Sequence, residues 1–119
     1  MLILFDSLTG NVGRFIKKLP VPATPIQPDM KIQEPFLLIT YTTGLGKIPE
    51  RTLEFLAQNH AFLKGISSSG NKNFGQYFAL AADEISKEYG IPIVSKFELS
   101  GTSADVEAFM KGVNNIEAH

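Results

Sequence analysis

Apolar residues in this chain form two kinds of pattern that alternate along its length. Short runs rich in apolar residues cover residues 2–5, 35–41, 62–67 and 91–97, with 2–5 nearly continuous, and a further short strand is expected around residues 23–27. Such runs are typical of strands buried on both faces of a parallel sheet. Between and after them, apolar residues recur every three or four positions, which predicts four amphipathic helices.

The predicted helices have recognisable ends. The first covers about residues 10–18, and the second begins with Pro49 at its first position. The third runs from about Phe74 to a cap at Gly90, and the fourth follows a capping pair made by Thr102 and Asp105. In the third helix the apolar face is expected to enter the core, with Phe74 at the loop edge as the exception.

This alternation of strands and helices predicts an α/β fold. Prolines surround the second strand, so it must be short and lie at a sheet edge. We therefore expect a flavodoxin-like, doubly wound, five-stranded parallel sheet of order 2-1-3-4-5, with helices on both faces. A chain of 119 residues is expected to form a single domain, residues 1–119.

A hydroxyl-rich turn joins the first strand to the first helix, at residues 7–12. Backbone N–H groups at a helix start favour an anion, so this turn predicts a site for a phosphate monoester. The alternative is an ordinary capped turn. Neither the Walker A pattern nor the dinucleotide fingerprint is present, because Gly46-Lys47 is followed by Ile48 and no glycine triplet opens near Ser7.

Two further loops of small polar residues follow the third and fourth strands, at residues 42–47 and 68–75. In a sheet of this order, ligands bind beyond the carboxyl ends of the strands where the strand order reverses. The three loops should meet there. They suit a ligand with a phosphate at one end and a flat polar heterocycle at the other.

Composition narrows the possible partners. The net charge is −1 with scattered Lys and Arg, which argues against nucleic-acid binding, and no apolar stretch approaches a membrane span. The absence of cysteine excludes thiolate metal sites and fits a reducing cytoplasm. No metal site is predicted, since His60 lies in a presumed loop and His119 is terminal. A response-regulator domain is disfavoured because residues 40–47 contain no aspartate.

The three loop motifs together resemble the flavodoxins, and more closely the NrdI family of small flavodoxin-like activators. The matching segments are Ser7-x-Thr9-Gly10-Asn11, Tyr41 to Gly44, and Ser68 to Gly75. The resemblance covers essentially the full chain and implies FMN as cofactor. Ordinary flavodoxins are longer and more acidic, and many stack a tryptophan on the flavin. This chain has none. The candidates to cover the ring are Tyr41 and Phe74, and the resemblance implies an incompletely covered flavin.

The resemblance also implies the site residues. Those expected to bind the flavin phosphate are Ser7, Leu8, Thr9, Gly10, Asn11 and Val12. Those expected beside the ring near N5 are Thr42, Thr43 and Gly44. Those expected around the pyrimidine side are Gly70, Asn71, Asn73, Phe74 and Gly75. Lys47 and Lys72 lie in the ring-side loops, either to offset charge on the reduced flavin or simply as solvated surface residues.

The resemblance further implies a role in activating class Ib ribonucleotide reductase. Reduced flavin would react with dioxygen to give a superoxide-type oxidant for the dimanganese site of the small subunit, where a tyrosyl radical forms. An electron donor protein or reductase would reduce the flavin. The protein would thus act on a partner protein rather than turn over a small substrate. A general electron-transfer flavodoxin is the alternative. In either case Gly44 is predicted to turn its carbonyl toward N5–H on reduction, since glycine tolerates the required dihedral angles, although it could merely close a tight turn.

Overall fold

A computed structural model describes residues 1–8 and 10–118 of the chain. In these residues strands and helices alternate, except that no helix separates the second strand from the third. The strands are β1 Leu2–Phe5, β2 Thr24–Pro25, β3 Phe36–Tyr41, β4 Leu63–Gly70 and β5 Ile93–Glu98. The helices are α1 Asn11–Lys17, α2 Glu50–Asn59, α3 Leu80–Tyr89 and α4 Ser103–Ala118, and 3-10 turns cover His60–Phe62 and Lys72–Tyr77.

The strands form one parallel sheet of order β2-β1-β3-β4-β5, which confirms the predicted doubly wound topology. β1 pairs with β2 on one edge and with β3 on the other. β2 is two residues long and lies at the sheet edge, as its prolines require. After β2 the chain therefore crosses back to the other side of β1, and the strand order reverses between β1 and β3.

Successive side chains of β3 pack on opposite faces of the sheet. Phe36 and Leu38 belong to a core cluster with apolar residues of α2 and α3, whereas Leu37 and Ile39 pack with residues of α1 and α4. All four side chains are completely buried. The continuous apolar run therefore reflects a strand covered by helices on both sides.

An aromatic cluster fixes α1 against the sheet. The rings of Phe15 and Phe97 stack with centroids 3.9 Å apart, and Phe109 meets Phe15 edge-on at 5.9 Å. Gly101 lies so close that an added Cβ would stand 2.6 Å from the Phe15 ring. These contacts fix the position of α1 and therefore of the loop that precedes it.

β4 is longer than the sequence predicted. The expected strand ended at Ser67 and the expected loop began at Ser68, but the strand continues to Gly70. The buried hydroxyls make this possible because they find partners inside the protein. Ser67 bonds with Ser95 of β5 at 3.0 Å, and Ser68 donates to the carbonyl of Ala79 at 3.2 Å.

The predicted start of the third helix is also wrong. Gly75 has φ 53° and ψ −116°, and Ala79 has φ 50°, so residues 72–79 form a 3-10 turn and a bend before α3 begins at Leu80. As a result Tyr77 and Phe78 do not enter the core as their spacing suggested, whereas Phe74 is exposed, consistent with its expected place at the loop edge.

The other helix ends are close to expectation. Gly90 is a left-handed C-cap, and Asp105 accepts the Thr102 N–H at 2.7 Å while its own N–H donates to the Thr102 hydroxyl. Pro49 is the N-cap of α2 rather than its first helical residue, so the helix begins one residue later than predicted.

Candidate functional site

A cleft of about 320 Å³ opens at the carboxyl edge of the sheet. Its volume falls at the lower end of the range for small-molecule pockets. Residues after β1, β3, β4 and β5 contribute to it. The lining residues are Leu8, Asn11, Tyr41, Thr42, Thr43, Gly44, Ser69, Gly70, Asn71, Phe74, Tyr77 and Leu99.

The loop after β1 turns into α1 through Gly10, which has φ 91°. Ser7 accepts a hydrogen bond from the Gly13 N–H at 3.2 Å, so its hydroxyl caps the helix from within the loop. Asn11 lines the cleft, whereas the side chain of Val12 is buried in the core. Thr9 lies outside the described residues.

Arg14 is a neighbour of this loop that the sequence reasoning missed. Its guanidinium donates to the Asn11 side-chain oxygen at 2.5 Å and to the Ser100 hydroxyl at 2.8 Å. One guanidinium nitrogen would lie 2.8 Å from a Cβ on Gly10. A permanent positive charge therefore stands beside the predicted phosphate loop. The signal in the sequence was a cation one helical turn after Gly10.

The loop after β3 is a tight hairpin. Thr43 and Lys47 exchange two backbone hydrogen bonds of 2.9 and 2.8 Å, with Gly44 at φ 49° and Gly46 at φ 82° inside the turn. A Cβ on Gly46 would clash with Leu80, whereas one on Gly44 would meet nothing within 4 Å. Gly46 is thus required by space, and Gly44 by its backbone conformation.

The hydroxyl of Thr42 ties this loop to its neighbours. It bonds with the Ser68 hydroxyl at 3.1 Å and accepts the Ala81 N–H at 3.3 Å. Because α3 begins at Leu80, Thr42 satisfies a donor in the first turn of that helix. Thr42 therefore links the ends of β3, β4 and α3 at the wall of the cleft.

Gly70 closes the far wall of the cleft. A Cβ at this position would lie 2.4 Å from the backbone nitrogen of Ala79, so the two backbones are in contact. The Gly70 carbonyl accepts the Leu99 N–H at 2.9 Å, which attaches the loop after β5. Beyond Gly70, Asn71 accepts the Asn73 N–H at 2.9 Å and Phe74 remains half exposed.

Eight of the predicted flavin residues line this one cleft. The eight are Leu8, Asn11, Thr42, Thr43, Gly44, Gly70, Asn71 and Phe74. Ser7, Gly10, Val12, Asn73 and Gly75 belong to the same loops without lining it. The three loops therefore meet at one edge of the sheet, as their positions after parallel strands predicted.

Two lining residues, Tyr77 and Leu99, were not anticipated. Tyr77 was assigned to the core face of a helix that in fact begins at Leu80. Leu99 has φ 53° and a side chain 46% exposed, and it stands where β5 ends. An apolar residue in an otherwise polar loop was the available signal. Tyr41, Phe74 and Tyr77 together give the cleft three aromatic walls.

Tyr41 has an altered environment within the cleft. Burial of the ring is the main cause that raises the pKa of its phenol, the negative charge of Asp6 raises it further, and the Arg51 guanidinium opposes both. The neutral phenol is therefore the favoured form of Tyr41. The charge of Asp6 therefore reaches the lining of the cleft.

The predicted ring-side lysines do not line the cleft. Lys47 closes the hairpin through its main chain, and Lys72 lines a separate groove with Arg14 and Lys96. Among residues 1–8 and 10–118, no group of three His, Asp or Glu side chains is placed to hold a metal ion. In the same part of the chain, no helix has the length and apolar character needed to cross a membrane.

Comparison with known proteins decides the family. The family model described as NrdI flavodoxin-like matches residues 3–111. The chain belongs to this family. It is 48% identical to protein NrdI of Bacillus licheniformis over 115 residues, covering 96% of this chain and 88% of that protein. It is 42% identical to the SPbeta prophage-derived protein NrdI of Bacillus subtilis over 119 residues, covering 97% and 92%.

Solved flavodoxins share the fold. A short-chain flavodoxin associated with a non-canonical PDU bacterial microcompartment superposes with a TM-score of 0.68 at 20% identity, covering 99% of this chain and 98% of that one. Oxidised flavodoxin 1 from Bacillus cereus superposes with a TM-score of 0.65 at 19% identity, covering 99% and 97%. Family and fold together imply flavin binding.

Gly70→Ala should damage the cleft, because its Cβ would meet backbone atoms of Ala79 rather than a movable side chain. We expect a loss of about 1–3 kcal/mol in the free energy of unfolding. Gly13→Ala is the matched control. Its Cβ would lie 3.8 Å from the nearest atom and helix propensity should add about 0.5–1 kcal/mol. Urea unfolding measures both, and equal stability of the two variants would contradict the close contact.

Proposed function

We propose that this chain is an FMN-binding redox protein that activates the dimanganese-tyrosyl radical cofactor of the class Ib ribonucleotide reductase small subunit. One observation carries the proposal: loops after β1, β3 and β4 meet in a single cleft lined by eight residues that match the flavin-binding pattern, in a chain of the NrdI family. We further propose that residues 1–119 form a single domain and that the protein is located in the cytoplasm.

The chain's own residues have distinct tasks in this proposal. The loop from Ser7 to Val12 holds the phosphate through its main chain, with Arg14 supplying positive charge nearby. Thr42, Thr43 and Gly44 lie beside the ring, and residues 70–75 surround its pyrimidine side. Tyr41, Phe74 and Tyr77 limit access of water to the cleft.

Bound FMN supplies one- and two-electron chemistry that no side chain here provides. With FMN bound, a donor protein or reductase would supply the electrons, and dioxygen would accept them to give the superoxide-type oxidant for the manganese subunit. A cleft with an apolar rim suits contact with a protein partner. Around this cleft Leu8, Phe74 and Leu99 are large apolar residues exposed to solvent.

The alternative function is general electron transfer to several enzymes, as in ordinary flavodoxins. Such proteins are usually much more acidic than this chain, whose net charge is −1. The near-neutral surface therefore favours a dedicated partner over a shared electron carrier.

The cleft should bind FMN in a 1:1 complex and should discriminate by its phosphate. We expect riboflavin, which lacks the phosphate, to bind at least tenfold more weakly in calorimetric titrations. Arg14→Met should weaken FMN binding about tenfold, as expected for loss of a charge-assisted contact worth ~1.5 kcal/mol, and should leave riboflavin unaffected. Lys17→Met on the same helix is the control. A colourless protein that gives no heat with FMN would refute the cofactor assignment.

Activation is tested by reconstitution with a class Ib small subunit. Mn(II), reductant, dioxygen and the FMN-loaded protein should together generate the tyrosyl radical, measured by electron paramagnetic resonance. Omitting FMN or dioxygen should abolish the signal. A general flavodoxin is run in parallel, because equal radical yield with it would support the electron-transfer alternative instead.

Gly44 is proposed to turn its carbonyl toward N5–H of the reduced flavin. Gly44 lies at an exposed hairpin tip with φ 49°, a backbone conformation that a β-branched residue would adopt only with strain. Gly44→Val should remove a hydrogen bond worth ~1 kcal/mol and lower a one-electron potential by roughly 40 mV. Leu45→Val, next to it in the same turn, should leave the potential unchanged. Crystals of both redox states with an unmoved peptide at residue 44 would rule the idea out.

A further inference from the structure

Asp6 is a buried carboxylate with no part in the site described above. It is 2% exposed, and one oxygen accepts the Thr52 hydroxyl at 2.8 Å. The other oxygen lies 3.9 Å from Nε of Arg51, whose side chain is 55% exposed. Removing a carboxylate from water is costly unless close partners compensate, and this counter-ion is distant and solvated. The position therefore retains a charge that packing alone would disfavour.

A directed hydrogen-bond chain leads from Asp6 to the end of β3. The hydroxyls of Thr52 and Thr40 are 2.7 Å apart, and both residues are fully buried. A hydroxyl has one proton to donate. Since Thr52 donates its proton to Asp6, the proton between the two threonines comes from Thr40. The chain thus runs from Thr40 through Thr52 to the carboxylate.

These hydrogen bonds connect the elements whose loops form the cleft. Asp6 directly precedes Ser7 in the loop after β1, and its N–H donates to the Ile39 carbonyl at 2.9 Å. Thr40 directly precedes Tyr41, which lines the cleft. Thr52 lies in the first turn of α2, beyond the hairpin at residues 43–47. Both ends of the ring-side loop are therefore tied to one buried carboxylate.

We propose that Asp6 is a positioning residue of the cofactor site: through Thr52 and Thr40 it holds segment 41–47, and its buried negative charge disfavours reduction of the bound flavin. The inference rests on the proposed function that the cleft binds FMN. A fixed negative charge in a poorly solvated environment raises the energy of each added electron. The protein would thus keep the reduced flavin reactive toward dioxygen.

The charge is tested with Asp6→Asn, which keeps an oxygen to accept from Thr52. In redox titrations of the FMN-loaded full chain, the ratio of reduced to oxidised flavin at a given potential should rise about tenfold, which corresponds to ~30 mV for a two-electron couple. Thr52→Ser, which keeps the hydroxyl and the charge, should match the wild type. An unchanged potential in the FMN-loaded Asp6→Asn protein would overturn the charge effect.

The positioning is tested without flavin. In the FMN-free protein, Thr52→Val should speed amide hydrogen exchange across residues 41–47 about tenfold, and Thr52→Ser should restore the slow rate. Thr40→Val leaves the Thr52–Asp6 bond in place and should give the same acceleration. Unchanged exchange in both valine variants would overturn the positioning role.

A second flavin-free measurement follows the charge itself. In a chain carrying Tyr77→Phe and Tyr89→Phe, ultraviolet titration reports the Tyr41 phenol alone. Asp6→Asn should lower the pKa of Tyr41, because a negative charge that favours the neutral phenol is gone. No change would overturn the claim that the charge reaches the cleft. If the wild type takes up no FMN, the proposed function and the effect on flavin reduction both fail, while these two measurements still decide whether Asp6 positions segment 41–47 and whether its charge reaches Tyr41.

Discussion

Parallel pairing of β1 along both of its edges is the constraint on which the rest of the structure depends. Because β2 lies on one side of β1 and β3 on the other, the connections that follow β1 and β2 run in opposite directions across the sheet. A crevice opens where the strand order reverses. The carboxyl ends of β1, β3 and β4 then share one sheet edge. Every loop of the cleft follows from this arrangement, whatever its own conformation.

The fold was predictable because its signals are redundant. Five apolar runs, prolines around an edge strand and helical spacing between the runs all indicate the same doubly wound sheet, so an error in one element does not change the topology. The β3 run is the clearest case, since its first four residues are completely buried between two layers of helices.

The errors occur where tertiary contacts override local pattern. Hydroxyl residues are common in turns, which predicts a loop at Ser68 and Ser69, yet both are buried strand residues, and the Ser68 hydroxyl finds its partners at Thr42 and Ala79. Phe74 and Tyr77 have helical spacing with Ile85, but the backbone bends at Gly75 and Ala79. Neither outcome is visible locally, because each is decided by contacts with residues far along the sequence. The same holds for Arg14 and Leu99, whose place beside the cleft depends on loops brought together by the sheet.

The distribution of hydroxyl residues along the central strands has a consequence for motion. In β4 the core residues Leu63 and Ile66 are followed by Ser67, Ser68 and Ser69, and β3 passes from Ile39 to Thr40. In β3 and β4, apolar burial therefore stabilises the amino-terminal part of each strand, whereas directional hydrogen bonds hold the carboxyl-terminal part. Hydrogen bonds weaken sharply with small displacements, so local opening should begin at the carboxyl end. The molecule thus combines a rigid base with a rim that can adjust around whatever occupies it.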